Sequence, residues 1–177
     1  MKARRANSRD RILAAAADVA REAGPGSLSL EAVASRAGVS KGGLLYNFPT
    51  KAKLMQGLVE NYLNEFEQAL EARIAESGHE HALAAYVGLS VDECEAPQPS
   101  ASWIFSAIAE DPDFLTPLKS FKRQLFERLK GETDDLGSMV VCFLAIEGLR
   151  SMSLFDSDVL SPDERKLLIS SLLKIAG

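Results

Sequence analysis

"GVSKGGLLYNFPTK", residues 38–51, decides how the rest of the chain is read. Two adjacent glycines, Gly42 and Gly43, follow a serine, Ser40, that can cap a short helix ending before Pro49. Each glycine costs such a helix on the order of 1 kcal/mol relative to alanine. What they offer is a leading edge bare of side chains, where backbone N–H groups and the positive end of the helix dipole can approach an anion. Lys41, Tyr46, Asn47 and Lys51 stand around that edge.

Working outward, Ser29 can cap a short helix through Ala37, with Leu30, Val33, Ala34 and Ala37 on its inner face and Gly38 as its stop. Before it, Ile12, Leu13, Ala16, Val19, Ala20 and Ala23 follow helical spacing until Gly24-Pro25-Gly26. Two short helices joined by a turn containing glycine form a helix-turn-helix, and the second helix of such a pair enters the major groove by its N-terminus. Val39, Leu44 and Phe48 have the spacing of an inward stripe against Leu13, Val33 and Ala34. That leaves Lys41, Gly42, Gly43, Leu45, Tyr46 and Asn47 facing out. Lys41 suits phosphate or guanine, Asn47 adenine, and Leu45 a thymine methyl. Tyr46, Lys51 and the helix starts at Ser29 and Ser40 suit phosphate.

Thr50 caps a long fourth helix, with Leu54, Leu58, Tyr62, Phe66, Leu70 and Ile74 at every fourth position. Further helical patterns fall near 80–93, 101–110, 114–130, 135–155 and 162–175, and no stretch shows sustained strand alternation with hairpin turns. The expected fold is all-α with about nine helices. A three-helix head over residues 1–50 precedes a helical body over 51–177.

The stretch "LSLEAVASRAGVSKGGLLYNFPTKAKL", residues 28–54, resembles the DNA-binding region of TetR-family transcriptional regulators. The capped short helix, A-G-V-S, K-G, the aromatic near the helix end and F-x-x-K-x-x-L all agree in register. Many members carry Thr or Ser where Gly43 stands, and Tyr-x-His where this chain has Leu45 and Asn47. "AIEGLRSMSLF" and "LSPDERKLLISSLL" are similar to the C-terminal end of one branch of the family. The resemblance implies a homodimer on double-stranded operator DNA, with the last two helices packing against their mates as a four-helix bundle. It also implies a body that senses a small molecule.

Charge agrees with a reading head. The 177-residue chain carries a net charge of −5, yet residues 1–53 hold ten Lys and Arg against four acids. A basic head on an acidic body suits a polyanion partner for the head alone. The basic tail, Lys2, Arg4, Arg5, Arg9 and Arg11, either adds phosphate or minor-groove contacts or is simply solvated. Two separated cysteines, no signal-peptide core and no long apolar run point to a reduced, cytoplasmic protein.

In the body, the rows around Phe143, Gly148, Met152, Leu168 and Leu172 are too apolar for lone surface helices and are the expected dimer interface. Tyr86, Trp103, Phe105, Phe121, Leu125, Cys142 and Glu147 are the candidates for an effector pocket, although an aromatic stripe is more often core. The expected ligand is small and largely apolar, with no cofactor and no metal. The favoured function is a repressor released by its effector. The competing reading is a DNA-bound activator or interaction module without a ligand. An enzyme is a distant third: His79 and His81 beside Glu76 and Glu80 hint at metal, but neither HExxH nor a nucleophile or phosphate-loop motif is present.

Overall fold

A computed structural model of the chain describes residues 7–23, 28–76, 82–95, 111, 113–155 and 157–177. The side chains of Arg21 and Ala23 are not among the described parts. Eight helices and no strand occur among these residues. They are α1 (Ser8–Ala23), α2 (Leu30–Ala37), α3 (Lys41–Asn47), α4 (Lys51–Glu76), α5 (Ala82–Glu95), α6 (Thr116–Gly131), α7 (Leu136–Leu154) and α8 (Pro162–Ala176). The helix expected near 101–110 lies outside the described residues, so the expected nine become eight.

Local chemistry sets the helix ends. Asn7 accepts from the backbone N–H of Asp10 at 2.9 Å at the start of α1. Ser29 and Ser40 cap α2 and α3 by accepting from Ala32 and Gly43 at 3.0 and 3.1 Å. Gly38 leaves α2 with φ of 62°. Its N–H donates to the carbonyl of Ser35 and that of Val39 to the carbonyl of Ala34, the paired bonds of a Schellman stop. Asp135 caps α7, and Ser161 with Glu164 forms a capping box on α8, where Pro162 takes the first helical position.

The described residues divide into two compact units. Met1–Leu63 with Pro99–Lys119 forms one, and Asn64–Gln98 with Ser120–Gly177 the other. The first buries Ile12, Leu13, Ala16, Val33, Ala34, Leu44, Phe48, Leu54 and Phe114 around α1, α2 and α3. The second buries Phe66, Leu70, Tyr86, Leu125, Leu129, Met139, Cys142, Ile146, Leu149 and Leu172.

α4 supplies residues to both cores, and its stripe differs from the expected one. Tyr62 is exposed, while Met55 and Leu63 are buried. A four-residue repeat advances about 400° on a helix of 3.6 residues per turn, so each step drifts about 40°. The row starting at Leu54 therefore leaves the inner face by Tyr62, and the buried face resumes at Leu63 and Phe66. Gly57, also buried, accommodates the head: a Cβ there would lie 2.8 Å from the Phe48 ring and 3.2 Å from Leu13.

One described helix, α7, is long and apolar enough to cross a membrane by length and composition, with a mean hydropathy of 1.3 over its best window. Its Glu147 and Arg150 are ion-paired to side chains of their own unit, which suits a bundle helix.

Candidate functional site

The inward stripe of α3 forms as its spacing predicts. Leu44 and Phe48 are buried against Leu13, Val33 and Ala34, and Val39 packs beside them half-buried. This fixes the rotation of α3, and with it what the helix presents outward. Lys41 and Gly42 are exposed, and Tyr46 is 90% exposed with its ring standing clear of the head. A Cβ on Gly42 would meet only the Ser40 hydroxyl, at 4.0 Å, whereas one on Gly43 would press on that cap at 3.3 Å. The bare edge is thus real at Gly42, and Gly43 keeps its cap unstrained.

Leu45 departs from the expected outward position. It is half-buried and packs against the head core, because a seven-residue helix lying across α1 and α2 covers more than one row of side chains. Asn47 is also half-buried. Its amide nitrogen donates to Ser8 Oγ at 3.0 Å and to the carbonyl of Gly43 at 2.8 Å. Reading a base with that amide means exchanging these bonds.

Electrostatics narrows the phosphate contacts further. Arg9 pairs with Glu60 at 3.4 Å and lies over the Phe48 ring, 5.3 Å from its centre. Arg11 donates to the carbonyls of Ala37 and Gly38. Arg36 makes a two-pronged pair with Glu22, and Lys53 lies 3.8 Å from Asp111. Lys41 pairs with Glu31 at 2.6 Å, and that bond is the main reason the Glu31 carboxyl sits below its ordinary value. Lys51 is the one head cation, among those whose side chains are described, that makes no ion pair or hydrogen bond. Arg9 and Arg11, read as either DNA-contacting or simply solvated, are engaged by the head itself. Lys2, Arg4 and Arg5 lie outside the described residues.

Glu31 is the residue that sequence reasoning missed. Its signal was present: an acid in the first turn of α2, beside the Ser29 cap and ten residues before Lys41.

Of the expected effector residues, Tyr86, Phe121, Leu125, Cys142 and Glu147 lie in the second unit. Tyr86, Leu125 and Cys142 are buried, and Phe121 is half-buried. Cys142 lies 3.9 Å from the carbonyl of Leu172, and burial pushes its thiol above the ordinary value. Glu147 pairs with Lys122 and with Arg150. Trp103 and Phe105 lie outside the described residues, as do His79 and His81. Among the described residues no group of three His, Cys, Asp or Glu could hold a metal. A cavity of about 220 Å³ opens elsewhere in this unit, between Ala82, Leu129, Thr133, Asp135 and Ile175, and none of the described effector candidates lines it.

The expected dimer residues separate. Phe143 and Leu172 are buried in the chain's own core, and Met152 and Leu168 are half-buried against it. Only Gly148 faces open space, with nothing within 4 Å of a Cβ placed there. Outward apolar side chains instead include Val141, Leu144 and Phe155 on or beside α7 and Leu167, Leu173 and Ile175 on α8. Leu144 is 62% and Leu167 66% exposed. Val141, Leu144, Gly148 and Phe155 fall on one helical stripe by their spacing of three, four and seven.

Residues 12–58 match the family described as bacterial regulatory proteins, tetR family. Residues 80–177 match the tetracyclin repressor-like C-terminal domain. No curated protein matches the chain. Among solved structures, a protein of Streptomyces coelicolor A3(2) is 22% identical with a TM-score of 0.69, over 96% of this chain and 98% of that one. The multidrug binding protein EbrR complexed with ethidium is 19% identical with a TM-score of 0.70, over 97% and 99%. A transcriptional regulator from Rhodococcus sp. Rha1 is 19% identical with a TM-score of 0.66, over 96% of each chain. At these identities the likeness is one of fold.

Proposed function

The chain belongs to the tetR family of bacterial regulatory proteins, and from that premise we infer that it is a homodimeric repressor of transcription, released from operator DNA by a small effector. The observation that carries this reading is the outward face of α3. A capped, side-chain-poor helix start lies beside exposed Lys41 and Tyr46, and the unpaired Lys51 opens the next helix. Such a face supports phosphate anchoring by Lys51, Ser29 and Ser40, with Lys41 and Asn47 aimed at bases after exchange of their internal partners.

In this reading residues 1–50 are the DNA-binding domain and 51–177 the effector-binding and dimerisation domain. A small head makes few base contacts, so specificity calls for two heads on a two-fold site. The exposed stripe of Val141, Leu144, Gly148 and Phe155, with Leu167 of α8, supports a second copy of this chain as its partner. The effector is small and largely apolar, in keeping with the aromatic interior of the body. EbrR, of the same fold, has been crystallised with ethidium, malachite green and proflavin, which supports a body that accepts small molecules. A coupling of about 1–3 kcal/mol between effector and DNA would loosen the complex roughly 5–150-fold, enough for control. The cytoplasm is the compartment this role requires.

Footprinting of the purified protein on genomic fragments tests the reading. The expected result is a protected site with two half-sites related by two-fold symmetry. Failure to prefer any duplex at modest ionic strength would overturn it.

A further inference from the structure

The Asn47 amide is anchored on one side only. Its nitrogen donates to Ser8 Oγ at 3.0 Å and to the Gly43 carbonyl at 2.8 Å, so both of its N–H groups are taken. The atom facing Gly43 has to be the nitrogen, because an amide oxygen there would meet another acceptor. The oxygen therefore lies on the other side of the amide. Among the described residues nothing donates to it, and it is open to solvent. Asn47 is the last residue of α3, directly after the exposed Tyr46, and Ser8 is the exposed first residue of α1.

A side chain held in this way meets DNA differently from a free asparagine. Two-pronged recognition of adenine needs an acceptor for the amino group and a donor for the ring nitrogen beside it. Here a donor becomes available only when an internal bond is broken. The oxygen needs no such exchange, and its direction is fixed before DNA arrives, so little rotamer freedom is lost on binding. In the major groove only the exocyclic amino groups of adenine and cytosine donate, whereas guanine and thymine present acceptors and a methyl group. An acceptor-only side chain thus matches the first two bases and faces lone pairs on the others. Every base pair carries one amino base, so such a contact tells which strand holds it and not whether the pair is A·T or G·C.

We propose that Asn47 reads DNA through its oxygen alone, keeping both internal bonds, and so selects adenine or cytosine against guanine and thymine at one position of each half-site. Ser8 is a positioning residue in this contact: its hydroxyl keeps one amide N–H away from the bases. The inference rests on the reading of α3 as the base-reading helix, and it names the bases that one side chain of that helix takes.

The test selects duplexes from a random pool with the full-length wild type, Asn47→Ala and Asn47→Ser. At one half-site position the wild type should take adenine and cytosine alike, about ten-fold over guanine and thymine, one such hydrogen bond being worth about that ratio. Both variants should lose that preference and keep the others. Base analogues in the selected duplex then need no variant at all. With wild-type protein, 7-deazaadenine at that position keeps the amino group but lacks the ring nitrogen, and should bind like adenine. Purine keeps the ring nitrogen but lacks the amino group, and should bind about ten-fold more weakly. Ser8→Ala frees one N–H and should shift the position toward adenine over cytosine. The proposal is overturned if the position takes adenine alone, if 7-deazaadenine costs as much as purine, or if no position responds to the Asn47 variants. An unshifted adenine-to-cytosine ratio in Ser8→Ala overturns it as well, because the serine would not then be what withholds the nitrogen. Selection of no duplex by the wild type removes the DNA-binding reading itself, whereas a two-fold site indifferent to Asn47 removes this inference and leaves the regulator.

Discussion

Arg11 of α1 donates to the carbonyl of Ala37 at 2.6 Å, closing the C-terminal end of α2 from outside the helix. The same nitrogen lies 3.2 Å from the Gly38 carbonyl, and a Cβ on Gly38 would sit 3.2 Å from it. A residue that charge alone would hand to DNA therefore fixes the corner of the helix-turn-helix. Arg11→Met should lower stability by about 1 kcal/mol, as expected for one partly solvated bond to helix-end carbonyls. The melting temperature should fall while the salt dependence of DNA binding keeps its slope. A shallower slope at unchanged stability would instead make Arg11 a phosphate contact.

Lys51 and Asn47 should part company. Lys51→Ala is expected to weaken binding to every sequence alike and to reduce the salt slope by about one for each phosphate that the lysine neutralises. Asn47→Ala is expected to change base preference with little effect on that slope. Binding measured across a salt series on operator and scrambled duplexes separates the two, and uniform loss from Asn47→Ala would strip it of a reading role.

Glu31 holds Lys41 in the free protein, so phosphate must compete with it. Glu31→Gln should strengthen binding to non-specific DNA and steepen its salt dependence. The pH behaviour follows in sign. The Lys41 bond, the residue's own backbone and the Lys41 charge hold the Glu31 pKa below its ordinary, unfolded value. The pair's contribution is thus complete above that ordinary value and is lost as pH falls through the lower folded one. Non-specific affinity should accordingly rise on acidification only in that acidic range, with no such rise in the Gln variant.

Gly57→Ala tests the close approach of α4 to the head. The new methyl would lie 2.8 Å from the buried Phe48 ring, and overpacking of this kind costs about 1–3 kcal/mol. Thermal unfolding should show the loss. Because Phe48 backs α3, the same variant should bind DNA more weakly.

Leu144→Glu and Phe143→Ala, neighbours in sequence, should fail in opposite ways. Leu144 points outward, so the charged variant should fold as a monomer, visible by sedimentation, and lose two-fold operator binding. Phe143 stacks on Tyr86 at 5.7 Å inside the chain, so its truncation should cost about 3–5 kcal/mol of stability with the oligomer interface untouched.

What could be read directly from the chain was short-ranged. Caps at Ser29, Ser40 and Ser161, the stop at Gly38, and the stripe Val39, Leu44, Phe48 each depend on residues within a turn or two, so the helices and the head were legible. Asn47, Arg9 and Arg11 were legible as polar or charged, but not as engaged, because, the Gly43 carbonyl one turn before Asn47 apart, their partners lie 26 to 51 residues away.

The body shows the same division over longer distances. An apolar residue on a helix is equally at home in a core, a pocket or an interface, and only what packs opposite decides which. Sequence alone determined an all-helical chain with a basic reading head at one end. Tertiary structure decided that Phe143 and Leu172 face inward while Leu144 and Leu167 face out, and that Leu45 is half-covered. The reason is that helical periodicity fixes the angles between side chains on one helix, whereas the rotation of that helix is set by contacts with others remote in the chain.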